Sequence, residues 1–187
     1  MSKRRSEADE RPLGKYSHQE TLNFPLVKTY KGQSKTLKNG RKLFLVLPIK
    51  DALLEEGGSK KNKNFDEQIC LKLDEYYRFL GRAQSEAGVD IVFCLENGKA
   101  LMTEAKMEVA GCNFTPKLKK DLDEKMKDSV EILGKSQTER STLVVLVAPS
   151  CKPQALQRFA MYNNGNISPK YKIITEREFY QEFFSEE

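Results

Sequence analysis

Gly88-Val89-Asp90-Ile91-Val92-Phe93-Cys94-Leu95, Glu96-Asn97-Gly98-Lys99 and Ala100-Leu101-Met102-Thr103-Glu104-Ala105-Lys106 follow one another without a break and read as strand, turn and strand. Asn97-Gly98 is a strong short-range hairpin signal, because both residues tolerate the positive φ of a type I′ turn. The apolar runs on either side are therefore expected to pair antiparallel within residues 89–109. Residues two apart on a strand share a face, so Asp90 and the Glu104/Lys106 pair can converge on one patch. Two carboxylates and an ammonium group on a half-apolar hairpin are costly to bury unless they pair with one another or hold a metal. On an exposed hairpin the same three residues would form a solvated ion-pair cluster worth little.

On both sides of the hairpin, helical and strand patterns alternate. Phe65, Ile69, Leu73, Tyr76, Tyr77 and Leu80 recur at helical spacing before Gly81, which predicts a helix over 65–82. Upstream, Leu43 to Leu47 is a short strand candidate and Ile49 to Glu56 one or two helical turns. The glycine- and lysine-rich segment 57–64 between them and the helix reads as a loop. Downstream, Thr115 is a natural N-cap, Pro116 a natural first helical residue, and Leu118, Leu122, Met126, Val130 and Leu133 form the apolar stripe of a helix that stops at Gly134. Thr142 to Ala148 is a continuous apolar run suited to a strand covered on both faces. A helix over 153–162, a strand over Tyr171–Ile174 and a final helix opened by a Thr175/Glu178 capping box complete the pattern. This order predicts an α/β sandwich around a mixed sheet, with the later strands entered by helical crossovers. Residues 1–40 read as a basic, partly flexible arm and 41–187 as a single domain with its core in 65–184.

The charge is distributed unevenly. Residues 1–63 carry 15 Lys/Arg against 7 Asp/Glu, and residues 64–187 carry 17 against 20. A basic front joined to a slightly acidic body suits a polyanion held by the front and a cation held by the body. Cys70, Cys94, Cys112 and Cys151 show no Cys-x-x-Cys spacing, so neither a zinc site nor a disulfide framework is expected. With no secretory segment and no apolar run of membrane length, the chain is expected to be intracellular, cytoplasmic or nuclear, with its thiols reduced. His18, the one histidine, lies in a polar stretch and leaves Ser-His-Asp and Cys-His catalysis little to work with.

Hydrolysis of a phosphodiester needs an attacking water, charge neutralisation at the phosphate and help for the leaving oxygen. Mg²⁺ or Mn²⁺ held by carboxylates meets all three needs. Asp90, Glu104 and the backbone carbonyl of Ala105 are the expected metal ligands, with Lys106 beside the water or the phosphate. Lys60, Lys61 and Lys63 in the loop are candidate phosphate contacts. Lys117, Lys119 and Lys120 open a helix against its dipole, which a phosphate partner would offset, although a solvated face accounts for them equally well.

These residues resemble the PD-(D/E)xK superfamily, the restriction endonuclease-like nucleases. Gly88-Val89-Asp90 stands where that family places its Pro-Asp, and Glu104-Ala105-Lys106 stands at its Glu-x-Lys. Residues 65–184 reproduce the family's element order, and 104–184 resemble the cleavage domains of type IIS restriction enzymes, with Gly111, Asn113 and the helix at Thr175 in matching places. Val89 departs from the family's proline. The resemblance implies a restriction endonuclease-like α/β/α sandwich with a mixed central sheet and a metal-dependent endonuclease. It further implies an acidic residue on the preceding helix, Glu67 or next to it Asp66, and contact of Asn113 and the lysines from 117 to 120 with nucleic acid. DNA is the expected substrate ahead of RNA, and a homodimer would supply two sites for cutting two strands. The competing reading is a module that keeps the fold to bind or assemble without turnover.

Overall fold

The computed structural model describes residues 12–59, 65, 67–82 and 88–186, with Arg140 and Ser141 described by backbone alone. Two short helices come first, α1 (His18–Asn23) and α2 (Pro25–Tyr30), followed by a two-stranded ladder of β1 (Lys35–Thr36) and β2 (Lys42–Leu43). The main sheet then begins with β3 (Val46–Pro48), α3 (Ile49–Glu55) and β4 (Ile69–Leu71). A 3₁₀ turn at Leu73–Glu75 runs into the one-turn helix α4 (Tyr76–Phe79). The hairpin strands β5 (Ile91–Cys94) and β6 (Ala100–Lys106) follow, then α5 (Pro116–Leu133), β7 (Thr138–Val147), α6 (Lys152–Met161), β8 (Tyr171–Ile174) and α7 (Glu176–Phe183). The protein is a mixed α/β structure whose six-stranded sheet has the order β3-β4-β5-β6-β7-β8. Pairing is antiparallel from β3 to β6 and parallel from β6 through β8, since α5 and α6 are crossovers that return the chain in the same direction.

Alternation along the strands assigns residues to two apolar layers. Val92, Met102, Leu143, Val145 and Ile173 face one layer with Val27 of α2, Leu122, Met126 and Leu133 of α5, and Ala155 and Phe159 of α6. Ile91, Phe93, Leu101, Val144, Leu146 and Ile174 face the other, with Ile49, Ala52 and Leu53 of α3 and Phe179 and Phe183 of α7. Helices therefore cover both faces of the sheet, and the central strands are apolar on both sides. Local signals start the helices as expected. Thr115 Oγ1 accepts the Leu118 N–H at 3.1 Å at the head of α5, and Thr175 and Glu178 form the reciprocal capping box of α7.

Of the helix expected over 65–82, only the 3₁₀ turn at Leu73–Glu75 and the one-turn α4 are helical among the described residues. Ile69-Cys70-Leu71 is instead strand β4, which fills the slot between β3 and β5, with Cys70 facing one apolar layer and Ile69 and Leu71 the other. Helical spacing of apolar residues gave way to a sheet that needed a strand there. The arm expected over 1–40 is, from residue 12 onward, part of the folded body. Tyr16 bridges to Leu95, its N–H donates to the Phe183 carbonyl at 2.8 Å, and Val27 is buried. The turn of the hairpin also differs from type I′. Only Gly98 takes a positive φ (76°), and its N–H closes back on the Leu95 carbonyl at 2.8 Å, so the loop has three residues and Asn97 is not left-handed.

Cys112 and Cys151, 39 residues apart, form a disulfide with Cα atoms 5.1 Å apart, while Cys70 and Cys94 are buried free thiols. The expectation of four reduced cysteines is corrected for this pair. Because β6 and β7 are parallel neighbours, the segments that leave their C-terminal ends lie side by side, and sequence spacing does not show it. Among the described residues no helix is long and apolar enough to cross a membrane.

Candidate metal and phosphodiester site

The register of the hairpin sets the site. Ile91 is paired with Thr103, so Asp90, one residue before β5, lies opposite Glu104 on β6. Asp90 is 4% exposed and Glu104 fully buried. The Asp90 N–H donates to Glu104 Oε2 at 3.2 Å, and the Ala105 N–H donates to Asp90 Oδ2 at 2.8 Å. Both carboxylates face the α5 side of the sheet, where Lys125 Nζ lies 2.6 Å from Glu104 Oε1 and 3.8 Å from Asp90 Oδ1. Lys106 Nζ lies 2.8 Å from the same Glu104 oxygen, and its side chain keeps 23% of its surface exposed. The three residues expected to converge from the hairpin do so.

Two further acids complete the cluster. Asp74, on the 3₁₀ turn after β4, and Glu56, at the C-terminal end of α3, offer carboxylate oxygens that lie with one of Asp90 within 4.8 Å of one another. Asp74 Oδ1 is buried and has no hydrogen-bond donor among the described residues. Its Oδ2 is 3.9 Å from Lys72, a lysine with a 4% exposed side chain that also reaches Glu55 at 2.6 Å and Glu56 at 3.4 Å. Burial, reinforced by the neighbouring Glu104 charge, pushes the Asp90 carboxyl up to about 7 against the pull of Lys125. Burial likewise pushes Asp74 up to about 8, with Lys72 opposing and Asp90, Glu75 and Glu56 adding to the rise. Burial alone would lower the Lys125 ammonium, but Glu104 and Asp90 outweigh it and the net shift is upward. Lys72 is raised in the same way, by Asp74, Glu55 and Glu56.

Backbone contacts hold the acids at these positions. The Val89 N–H donates to Ser129 Oγ at 2.9 Å, and Ser129 Oγ donates in turn to the Lys125 carbonyl at 2.7 Å, one turn back on α5. That chain of bonds fixes Asp90 against the helix that supplies Lys125. It also gives the valine at 89 a purpose, since proline there would have no N–H to donate. On the other side, the Asp74 N–H donates to the Val89 carbonyl at 3.0 Å. Gly88 allows this approach: a Cβ on it would lie 2.8 Å from the Leu73 carbonyl oxygen. Gly88→Ala is therefore expected to push the Leu73–Asp74 backbone away from Asp90 and to lower Tm by roughly 5 °C, as overpacking against a backbone does. Thermal unfolding followed by circular dichroism checks this, and an unchanged Tm would mean that the contact yields at no cost.

Other expected residues lie elsewhere. Glu67 is exposed, on no helix, and lines a cleft of about 670 Å³ with Lys15, Tyr16, His18, Gln68 and Glu96. Glu96 belongs to the hairpin turn, six residues or about 20 Å of strand from Asp90, so Glu67 is corrected: the acids beside Asp90 are Asp74 and Glu56. Asp66 lies outside the described residues, as do Lys60, Lys61 and Lys63. Lys119 is paired with Asp123 at 2.8 Å and Lys120 with Glu124 at 3.8 Å, both within α5, which favours a solvated face for these two. Lys117 and Asn113 are exposed at the head of α5, where Asn113 lines a smaller hollow of about 360 Å³ beside the disulfide.

Lys125, Asp74 and Glu56 were not singled out from sequence. Lys125 did leave a signal: it stands three residues after Leu122 and four before Ser129, inside the buried stripe of α5. A lysine in an apolar stripe needs a carboxylate partner. Asp74 and Glu56 left none, because their approach depends on β4 being a strand. No family model, curated protein or solved structure matches the chain.

Proposed function

We propose that this protein is a metal-dependent nuclease of the restriction endonuclease-like, PD-(D/E)xK kind, which hydrolyses phosphodiester bonds of nucleic acid, DNA ahead of RNA. The observation that carries the reading is the convergence of Asp90, Glu104 and Lys106 on one face of the hairpin with Asp74 and Glu56 beside them. An Asp at the head of one strand, a Glu-x-Lys on its antiparallel neighbour and a helical crossover to a parallel third strand support the family assignment.

The residues fit a hard divalent cation. Every ligand on offer is a carboxylate oxygen, and Asp74 also carries a buried oxygen, Oδ1, with no hydrogen-bond partner among the described residues. Asp90, Asp74 and Glu56 would hold Mg²⁺ or Mn²⁺, with Glu104 and the Ala105 carbonyl adjoining. Such an ion neutralises charge on a phosphate and acidifies water. Glu104 anchors Lys106, whose side chain is partly exposed and whose ammonium is placed to take a phosphate oxygen or to orient water. Lys117, in the first turn of α5 and eight residues or about 12 Å along the helix from Lys125, and Asn113, just before that helix, would meet the backbone flanking the scissile bond. A homodimer would place a second site on the opposite strand.

The test incubates wild type and Lys106→Ala with plasmid DNA, branched DNA and single-stranded RNA, in Mg²⁺, Mn²⁺ or EDTA. Cleavage is expected with either metal, none in EDTA, and at least a ~100-fold loss in Lys106→Ala, the scale set by removing one transition-state charge contact. Binding of nucleic acid without cleavage under every condition would instead identify a non-catalytic module.

A further inference from the structure

We propose that Lys125 is a built-in counter-ion, which holds the Asp90–Glu104 pair in the metal-free protein and has to be displaced for a divalent cation to bind. The proposal rests on the nuclease reading above and adds to it a residue that sets the affinity and charge selectivity of the site. Lys125 projects from the buried stripe of α5, and its ammonium spans the two carboxylates that the hairpin register brings together, at 2.6 Å from Glu104 Oε1 and 3.8 Å from Asp90 Oδ1. An ion bonded to Asp90 at the 2.0–2.6 Å or so typical of Mg²⁺, Mn²⁺ or Ca²⁺ competes with that ammonium for the same negative charge.

Exchange is built into the arrangement. Glu104 Oε1 receives two ammonium groups, Lys125 at 2.6 Å and Lys106 at 2.8 Å. When Lys125 leaves, Lys106 still satisfies that oxygen. The Lys125 backbone is meanwhile fixed by Ser129, so only its flexible four-carbon stem has to move. The side chain retains 24% exposure, and its displaced head therefore has a way to water. A monovalent ion would bring no more charge than the ammonium it replaces, and the site is selective for divalent ions on that ground alone.

Titration of metal-free wild type, Lys125→Met and Lys125→Gln with MnCl₂, followed by calorimetry and by the electron paramagnetic resonance signal of free Mn²⁺, tests this without reference to cleavage. Both variants are expected to bind Mn²⁺ at least tenfold more tightly than wild type while their metal-free Tm falls. A lysine with a purely structural role would instead give weaker binding on removal. If wild type binds Mn²⁺ and both folded variants bind it no more tightly, the displacement proposal is overturned and the nuclease reading stands. If neither wild type nor variants bind Mn²⁺, both fall together. Lys125→Gln is one atom shorter than lysine but uncharged and still polar at its tip, so it reports should the methionine variant not fold.

Discussion

Asp90→Asn is expected to raise the Tm of the metal-free protein at pH 8 by about 3–6 °C while abolishing metal-dependent cleavage. The sign follows from linkage. A folded-state carboxyl near 7, against about 3.9 in the unfolded chain, means that the folded protein binds the proton more tightly. Asp90 therefore contributes stability that is fully present below about pH 4 and lost as pH rises through about 7. At pH 8 the wild-type group is ionised, buried and beside Glu104, and asparagine removes that charge while its side-chain oxygen can still accept the Ala105 N–H. Removing 1–2 kcal/mol of such strain corresponds to about 3–6 °C in a chain of this size. The advantage of the variant should shrink toward pH 5, where wild type takes up its proton. Differential scanning calorimetry of both proteins in EDTA from pH 5 to 8 decides it: a variant that melts lower at pH 8, or a gap independent of pH, would contradict the assignment of Asp90 as a strained acid.

The second large effect is expected from Val89→Pro, the change to the residue that PD-(D/E)xK nucleases, which the hairpin resembles, place there. Proline removes the N–H that Ser129 Oγ accepts at 2.9 Å and replaces a fully buried valine side chain. Loss of a buried hydrogen bond together with ring strain is worth roughly 3 kcal/mol or more, or about 6–12 °C in Tm. Ser129→Ala leaves the Val89 N–H without its acceptor and should cost less, about 1–3 kcal/mol. If Val89→Pro melts with wild type, the valine at 89 is not there to serve Ser129.

How much of this was legible in the sequence depended on how local the determinants are. Thr115, Pro116 and Gly134 mark α5, and Thr175 with Glu178 marks α7, because caps and stops act on neighbouring residues. The fourteen-residue interval from Asp90 to Glu104 around Asn97-Gly98 was enough to place the two acids opposite each other, even though the turn proved to be a three-residue loop rather than type I′. Residues 65–82 misled, since their apolar spacing fits a helix when read alone and only the neighbouring β3 and β5 make Ile69–Leu71 a strand. That single reversal hid Asp74 and moved the expected acid to Glu67. The Cys112–Cys151 disulfide was hidden for a related reason, because it depends on which strands run parallel.

Tyr16 ties the front of the described chain to its last helix through the Phe183 carbonyl at 2.8 Å, packs at a tilt against Phe184 with ring centroids 5.1 Å apart, and bridges to Leu95 at the turn end of the hairpin. Under tension, a pull on residues 12 and 186 would meet this clasp first, at the end of the sheet away from Asp90 and Glu104. The carboxylate cluster thus lies at the far end of β5 from the point where such a load would enter the sheet, at Leu95.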